Sequence, residues 1–279
     1  MRLALLSPVH GQSIDHIAQQ LDNYKAFLAP FALRHYLHIS LDSSSDLKSN
    51  LLEFADQNGH DIVICKQSRT TWRPCTSNAL CELITTTLKD DITHDKVLIH
   101  TDTDLIFSEK IKTHLQQHSI GCGNKPFRGI KGRWRWISKA QNDPRINRLA
   151  LEMLDGDTSS LRVGRVCGSF MPWNLFKPFG AIFNHYFNNS FFDRNPKKHW
   201  PLPEIAIPTI LQLLAGENNT FQPPLIRVPG AKNQIYKKTI RQHLRHGDYF
   251  GIKMINRNTT NKASLYLKHL QAKAIGECL

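Results

Sequence analysis

The chain has 279 residues, 41% hydrophobic and 21% charged, with 15 Gly and 14 Pro spread along it. This excludes collagen-like, low-complexity and mostly disordered chains and leaves apolar material for one large core or two small ones. Lys and Arg number 36 against 23 Asp and Glu, a net charge of +13 with the 14 His neutral, so an anionic partner is expected: nucleic acid, an acidic membrane surface, an acidic saccharide or lipid, or a phosphorylated small molecule.

The apolar start at residues 3–6 is cut short by Ser7-Pro8, and no stretch reaches the length of a membrane span, so a cytoplasmic protein is expected. The six cysteines, Cys65, Cys75, Cys81, Cys122, Cys167 and Cys278, form no C-x-x-C pair and mostly lie in apolar segments. Reduced core thiols are therefore expected rather than disulfides or a zinc site.

Residues 3–6 read as a buried strand, and a helix follows from Ser13, with Ile14, Ile17, Leu21, Tyr24 and Leu28 at helical spacing until Pro30. A strand at 36–39, a helix at 46–56 closed by Gly59 and a strand at 61–65 come next. A helix capped by Thr76 or Ser77 carries Leu80, Leu83, Ile84 and Leu88, and 97–99 forms the fourth strand. This alternation predicts an α/β fold, a mostly parallel sheet with helices on both faces, which binds ligands at the carboxyl ends of its strands. Beyond residue 120 the pattern predicts a helix from Asp143-Pro144 to Leu154, a strand over 165–170, a helix after Pro203, a strand at 225–228, a polar basic loop through Gly251 and an amphipathic helix over 264–274. The expected organisation is one domain over 1–279: a ligand-binding half 1–110, a second half 111–255 and a basic C-terminal helix 256–279.

The sharpest signal is Asp102-Thr103-Asp104 between the apolar runs 97–99 and 105–107. Two carboxylates at a buried strand end need a counter-charge, and a divalent cation sharing them with a substrate diphosphate supplies one. An Asx-type turn is the plain alternative. Glu204 follows Pro203 at a helix start, where the dipole favours its ionised form and a general base could stand; Asp193 is the rival carboxylate. His243 and His246 lie in a late basic run, where imidazole could ligate a metal or a solvated loop could simply carry charge; His246, beside Gly247, is preferred. Residues 128–139 interleave Arg128, Lys131, Arg133, Arg135 and Lys139 with Trp134 and Trp136, suited to stacking on sugars or bases.

The strand-D-x-D arrangement resembles glycosyltransferases of the GT-A fold. Fainter likenesses, in His38-Ile39-Ser40-Leu41-Asp42, in Arg69, Trp72 and Ser77, and in residues 204–211, point to the branch holding the core-2/I-branching N-acetylglucosaminyltransferases and the xylosyltransferases. The resemblance implies a Rossmann-like sheet and a nucleotide-sugar donor bound by Pro8, Val9, His10, Asp42, Arg69, Asp102 and Thr103. It implies Mn²⁺ or Mg²⁺ on Asp102, Asp104 and His246, and Glu204 as the base of an inverting transfer. It also implies an acceptor pocket of Gly168, Ser169 and Trp173, to which the basic run adds Arg133 and Arg135. The acceptor would be a saccharide or glycolipid, anionic ones included, with peripheral membrane association open to the protein and no specific nucleic acid, in surface polysaccharide or glycolipid synthesis. Two other readings stay open: a metal-dependent nuclease or phosphoryl-transfer enzyme, for which more converging carboxylates would be wanted, and a non-catalytic nucleic-acid-binding protein, for which no RRM, KH or zinc motif is seen.

Overall fold

The computed structural model describes residues 1–71, 76–130, 134–194, 200–228, 236–253 and 261–276. In chain order the first half runs β1 (Arg2–Val9), α1 (Ile14–Leu28), β2 (Ala32–Ile39), α2 (Leu47–Asn58), β3 (Ile62–Ile64), α3 (Ser77–Lys89), β4 (Lys96–Ile99), β5 (Asp104–Ile106) and α4 (Lys110–Gln117). The second half adds β6 (Lys125–Pro126), α5 (Ile137–Gln141), α6 (Pro144–Met153), β7 (Arg162–Val163), β8 (Ser169–Pro172), α7 (Trp173–Tyr186), α8 (Ser190–Arg194), α9 (Pro203–Ala215), β9 (Ile226–Arg227), α10 (Lys237–His246), β10 (Gly251–Lys253) and α11 (Lys262–Ala274).

The central sheet has the order β3-β2-β1-β4-β8. Its first four strands are parallel and β8 is antiparallel to β4. Alternation along β1 explains the layering. Ala4 and Leu6 face a core built with α3, α7 and α9, whereas Leu3 and Leu5 face one built with Tyr24, Phe27 and Leu28 of α1. Both faces are thereby covered, as parallel sheets require. A second sheet, β5-β10-β9, folds the C-terminal part of the chain back beside the end of β4. The described cysteines Cys65, Cys81, Cys122 and Cys167 form no disulfide with one another; Cys75 and Cys278 lie outside the described residues.

The helical periods of the first half are realised within a residue or two, and Gly59 ends α2 in the left-handed conformation at φ 62°. Asp143 caps α6 as its side chain accepts the Arg145 backbone N–H, with Pro144 at the first helical position. Three expectations are corrected. Part of the supposed polar loop before Gly251 is α10, whose Ile240 and His243 are buried while its cations face outward. The strand foreseen at 165–170 starts only at Ser169. Finally, α7 was not foreseen, although Phe176, Phe179 and Phe183 stack along its buried side.

Candidate active site

The strand order reverses between β1 and β4: the chain winds outward from β1 through β2 and β3, then returns to place β4 on the other side. A crevice opens at the carboxyl ends of two such strands because the following loops diverge. Here the crevice is lined by His10, just past β1, and by Asp102, just past β4. The His10 backbone N–H donates to Asp102 Oδ2 at 2.8 Å, fixing a carboxylate that is 7% exposed.

Asp104 is fully buried. Its Oδ2 accepts the Thr101 N–H at 2.8 Å and its Oδ1 accepts the Thr101 hydroxyl at 2.9 Å, a closed turn around the two carboxylates. Across the β5/β10 ladder Lys253 pairs in register with Asp104 and brings its ammonium to 3.6 Å from the carboxylate, donating also to the Thr101 hydroxyl. Burial opposes the charge on Lys253, but Cys167, Asp104 and Asp102 outweigh it and raise its pKa; the Cys167 thiol is itself pushed up to about 11 by burial and is neutral at pH 7, so the carboxylates hold the ammonium charged. Sequence reasoning missed Lys253, since its only signal was a lysine in the β10 apolar run.

Beside this group stand the ends of β1 and β2 and the segment that follows β3. His10 Nδ1 meets the Thr71 hydroxyl at 2.6 Å and lies 3.9 Å from the half-exposed Asp42 carboxylate. Ser40 Oγ ties the segments after β2 and β3 together: it donates to Asp42 and accepts the Thr71 N–H. Arg69 lies next to them, its N–H donating to His38 Nε2 and its guanidinium spanning Glu82 and Asp193. Pro8 and Val9 are buried, which leaves only their backbone near the crevice, and Thr103 is half-buried with its hydroxyl 3.3 Å from that of Thr101.

Glu204, in the first turn of α9, accepts from Trp134 Nε1 at 3.1 Å and from Arg165 Nη1 at 2.5 Å. Its backbone carbonyl takes the Gly164 N–H, and Gly168 four residues on donates its N–H to Ile99 at the end of β4. The segment 164–168 thus links Glu204 to the D-x-D edge, and the Cys167 thiol feels Lys253, Asp104 and Glu204 together. Gly168 adopts φ 79° with a would-be Cβ only 2.5 Å from the Ile226 backbone nitrogen, so no other residue fits.

Other expectations do not assemble. The Trp173 backbone N–H donates to the Asp95 carbonyl, at the opposite end of β4, about 13 Å along the strand from the crevice, where the ring packs on His94 and Phe176. Ser169 is wholly buried in β8 and offers no side chain to an acceptor. Arg135 is exposed and stacks on Trp136 at 4.7 Å, while Arg133 and Trp72 lie outside the described residues. His246 is exposed at the end of α10, and among the described residues no three His, Cys, Asp or Glu side chains converge as a metal site, so His246 does not join the aspartates. Of the two carboxylates, Asp102 at the strand end has the oxygen chemistry a hard cation takes alongside a substrate, whereas the oxygens of the enclosed Asp104 are already engaged by Thr101 and Lys253.

No protein-family model and no curated protein matches the chain. Among solved structures, the fold is similar to that of the galactosyltransferase LgtC in complex with donor and acceptor sugar analogs. The TM-score is 0.49 at 10% identity, over 98% of this chain and 96% of that one. An active-site mutant of LgtC gives 0.49 at 11% identity over the same shares. The mannosyltransferase PcManGT from Pyrobaculum calidifontis, in complex with GDP-Man and Mn²⁺, gives 0.37 at 12% identity, over 64% of this chain and 46% of that one.

Proposed function

We propose that this chain is a metal-assisted glycosyltransferase of GT-A type, moving a sugar from a nucleotide-sugar donor to a saccharide or glycolipid acceptor with inversion at the anomeric carbon. The observation that carries the reading is the Asp102 carboxylate held against the His10 N–H at the strand-order reversal, with the half-buried Lys253 ammonium behind it. Anionic and cationic groups side by side at a crevice suit a ligand that is itself a diphosphate with associated cations.

In this reading the nucleoside lies over His10, Asp42 and Thr71, where the Asp42 carboxylate can accept sugar hydroxyls. The diphosphate lies toward Thr103 and Lys253, whose ammonium favours the negative charge that grows on the leaving group. Asp102 would hold Mn²⁺ or Mg²⁺, with Asp104 setting the turn that places it, and the cation when bound would supply Lewis-acid neutralisation of the leaving diphosphate. Glu204 takes the acceptor hydroxyl's proton as that oxygen attacks; Trp134 and Arg165 orient its carboxylate. Gly168 and Arg135 remain for the acceptor side, with Trp173 and Ser169 withdrawn.

No described helix is long and apolar enough to cross a membrane. Helices α10 and α11 contain no acidic residue and turn Lys238, Arg241, Arg245, Lys262, Lys268 and Lys273 toward solvent, which suits an anionic acceptor or a membrane face. The deciding experiment is a thermal-shift panel of nucleoside diphosphates with and without Mn²⁺. Stabilisation by one of them, enhanced by Mn²⁺, supports the reading; no stabilisation by any of them refutes it.

A further inference from the structure

The D-x-D turn is gripped from behind by α1. Gln20, 1% exposed, directs both hydrogens of its side-chain amide to the turn: Nε2 donates to the Thr101 carbonyl at 2.6 Å and to the Asp104 carbonyl at 2.7 Å. These carbonyls flank Asp102-Thr103, and the turn between them closes with the Asp104 N–H on Thr101 O at 3.1 Å. One helical turn further on, Asn23, also 1% exposed, donates to the Ile106 carbonyl at 3.0 Å and accepts the Ile106 N–H at 2.7 Å. Its amide thereby pairs with β5 as a neighbouring strand would.

A polar side chain on the apolar face of a helix is costly unless its bonds are made. Gln20 stands on the buried face of α1 with Ile17, Leu21 and Tyr24, where a leucine would satisfy the helical pattern. Among the described residues its donors reach only the loop that carries the two carboxylates, so its presence is explained by that loop and not by the helix.

We propose that Gln20 is a positioning residue of the donor site: it holds the carbonyls of Thr101 and Asp104 together and so fixes where the Asp102 and Asp104 carboxylates stand, while Asn23 anchors the strand that follows. This deepens, and rests on, the glycosyltransferase reading. With the turn free to open, Asp102 would lose its fixed separation from His10 and Asp104, and binding energy would go into ordering the loop before a diphosphate could be held.

The test compares wild-type protein with Gln20→Met, which matches the side chain in volume but donates nothing, and with Gln20→Asn, too short to reach both carbonyls. Thr87→Val serves as a control, since Thr87 is a buried polar residue on α3 bonded to Leu83 O within its own helix. Amide exchange of residues 96–106 is measured without ligand, and affinity is then measured for the nucleoside diphosphate that best stabilises the wild-type protein, with Mn²⁺. The expectation is exchange at 100–104 faster by about tenfold or more in both Gln20 variants, unchanged exchange at 96–99, and nucleotide affinity weaker by about tenfold, the scale of two lost hydrogen bonds. Thr87→Val should change neither. Folded Gln20 variants with wild-type exchange in this loop would overturn the proposal, as would failure of both to fold, which would make Gln20 a general core residue. If wild-type protein binds no nucleoside diphosphate while loop exchange still rises, the clamp stands and the glycosyltransferase reading falls.

Discussion

Lys253 and Asp104 face each other across the β5/β10 ladder with 3.6 Å between ammonium and carboxylate, although 149 residues separate them in the chain. Asp104 is fully buried while Lys253 keeps 19% of its side chain exposed, so removing the lysine strands an enclosed carboxylate. Lys253→Met is expected to destabilise the protein by about 3–5 kcal/mol, with much of that recovered in the double variant Lys253→Met/Asp104→Asn, whose amide still accepts from Thr101. Denaturant midpoints of the single and double variants check this; a double variant no more stable than Lys253→Met would show that the two charges do not support each other.

For the same reason Asp104→Ala is a poor probe of chemistry, since it would harm the fold as well. Asp102→Asn is the cleaner one. The new amide oxygen can still accept the His10 N–H, so the melting temperature should stay within about 3 °C, whereas nucleoside diphosphate affinity in Mn²⁺ should drop by about tenfold or more. Unchanged affinity measured by calorimetry would remove Asp102 from the donor site.

Glu204→Gln keeps an acceptor for Trp134 and Arg165 but cannot take a proton. Turnover should fall by about a hundred- to ten-thousand-fold while donor affinity survives. Near-normal turnover would send the search for the base to Asp193, now paired with Arg69, and a product of retained anomeric configuration read by NMR would overturn the inverting displacement itself.

Acid should unfold the protein well above the carboxylate range. His35 and His100 are wholly enclosed, and burial pushes both down, His100 to about 4; His38 is likewise lowered to about 4. Both His35 nitrogens lack partners among the described residues. The folded state holds these rings neutral while the unfolded chain protonates them near pH 6.5, so their contribution is intact above about 6.5 and is lost as pH falls toward 4. Each such histidine steepens the loss by about 1.4 kcal/mol per pH unit inside that window. Urea midpoints between pH 7.5 and 4.5 should decline steeply, and His100→Gln should flatten the decline; a flat profile in the wild-type protein would contradict neutral burial.

Attraction to anionic surfaces should follow the cations of α10 and α11. Cosedimentation with vesicles containing phosphatidylglycerol is expected to weaken as salt rises, since screening acts within about 8 Å at physiological ionic strength, and to weaken further in Lys238→Glu/Arg245→Glu. Vesicle binding insensitive to both would assign the basic face another role.

The alternating half of the fold was legible because its signals are local. Ile14, Ile17, Leu21 and Tyr24 repeat every three or four residues whatever they later touch, and residues 3–6 or 97–99 are too apolar to be anything but buried. Asp102 and Asp104 were legible as a pair because charge at the end of an apolar run is costly anywhere. Glu204 could be placed at a helix start but not beside Arg165 and Trp134, which are contacts of tertiary origin.

What the tertiary structure alone decided is which distant residues meet. Lys253 reaches Asp104 only because β10 pairs antiparallel with β5, and Gln20 reaches the D-x-D turn only because α1 packs behind it. Trp173 follows Gly168 by five residues, yet β8 carries it to the far end of β4, since an extended strand advances about 3.3 Å per residue. Hydrophobic spacing specifies which face of an element is buried; it holds no information about which polar group waits at the other side of that contact, because a hydrogen bond depends on the positions of two elements at once.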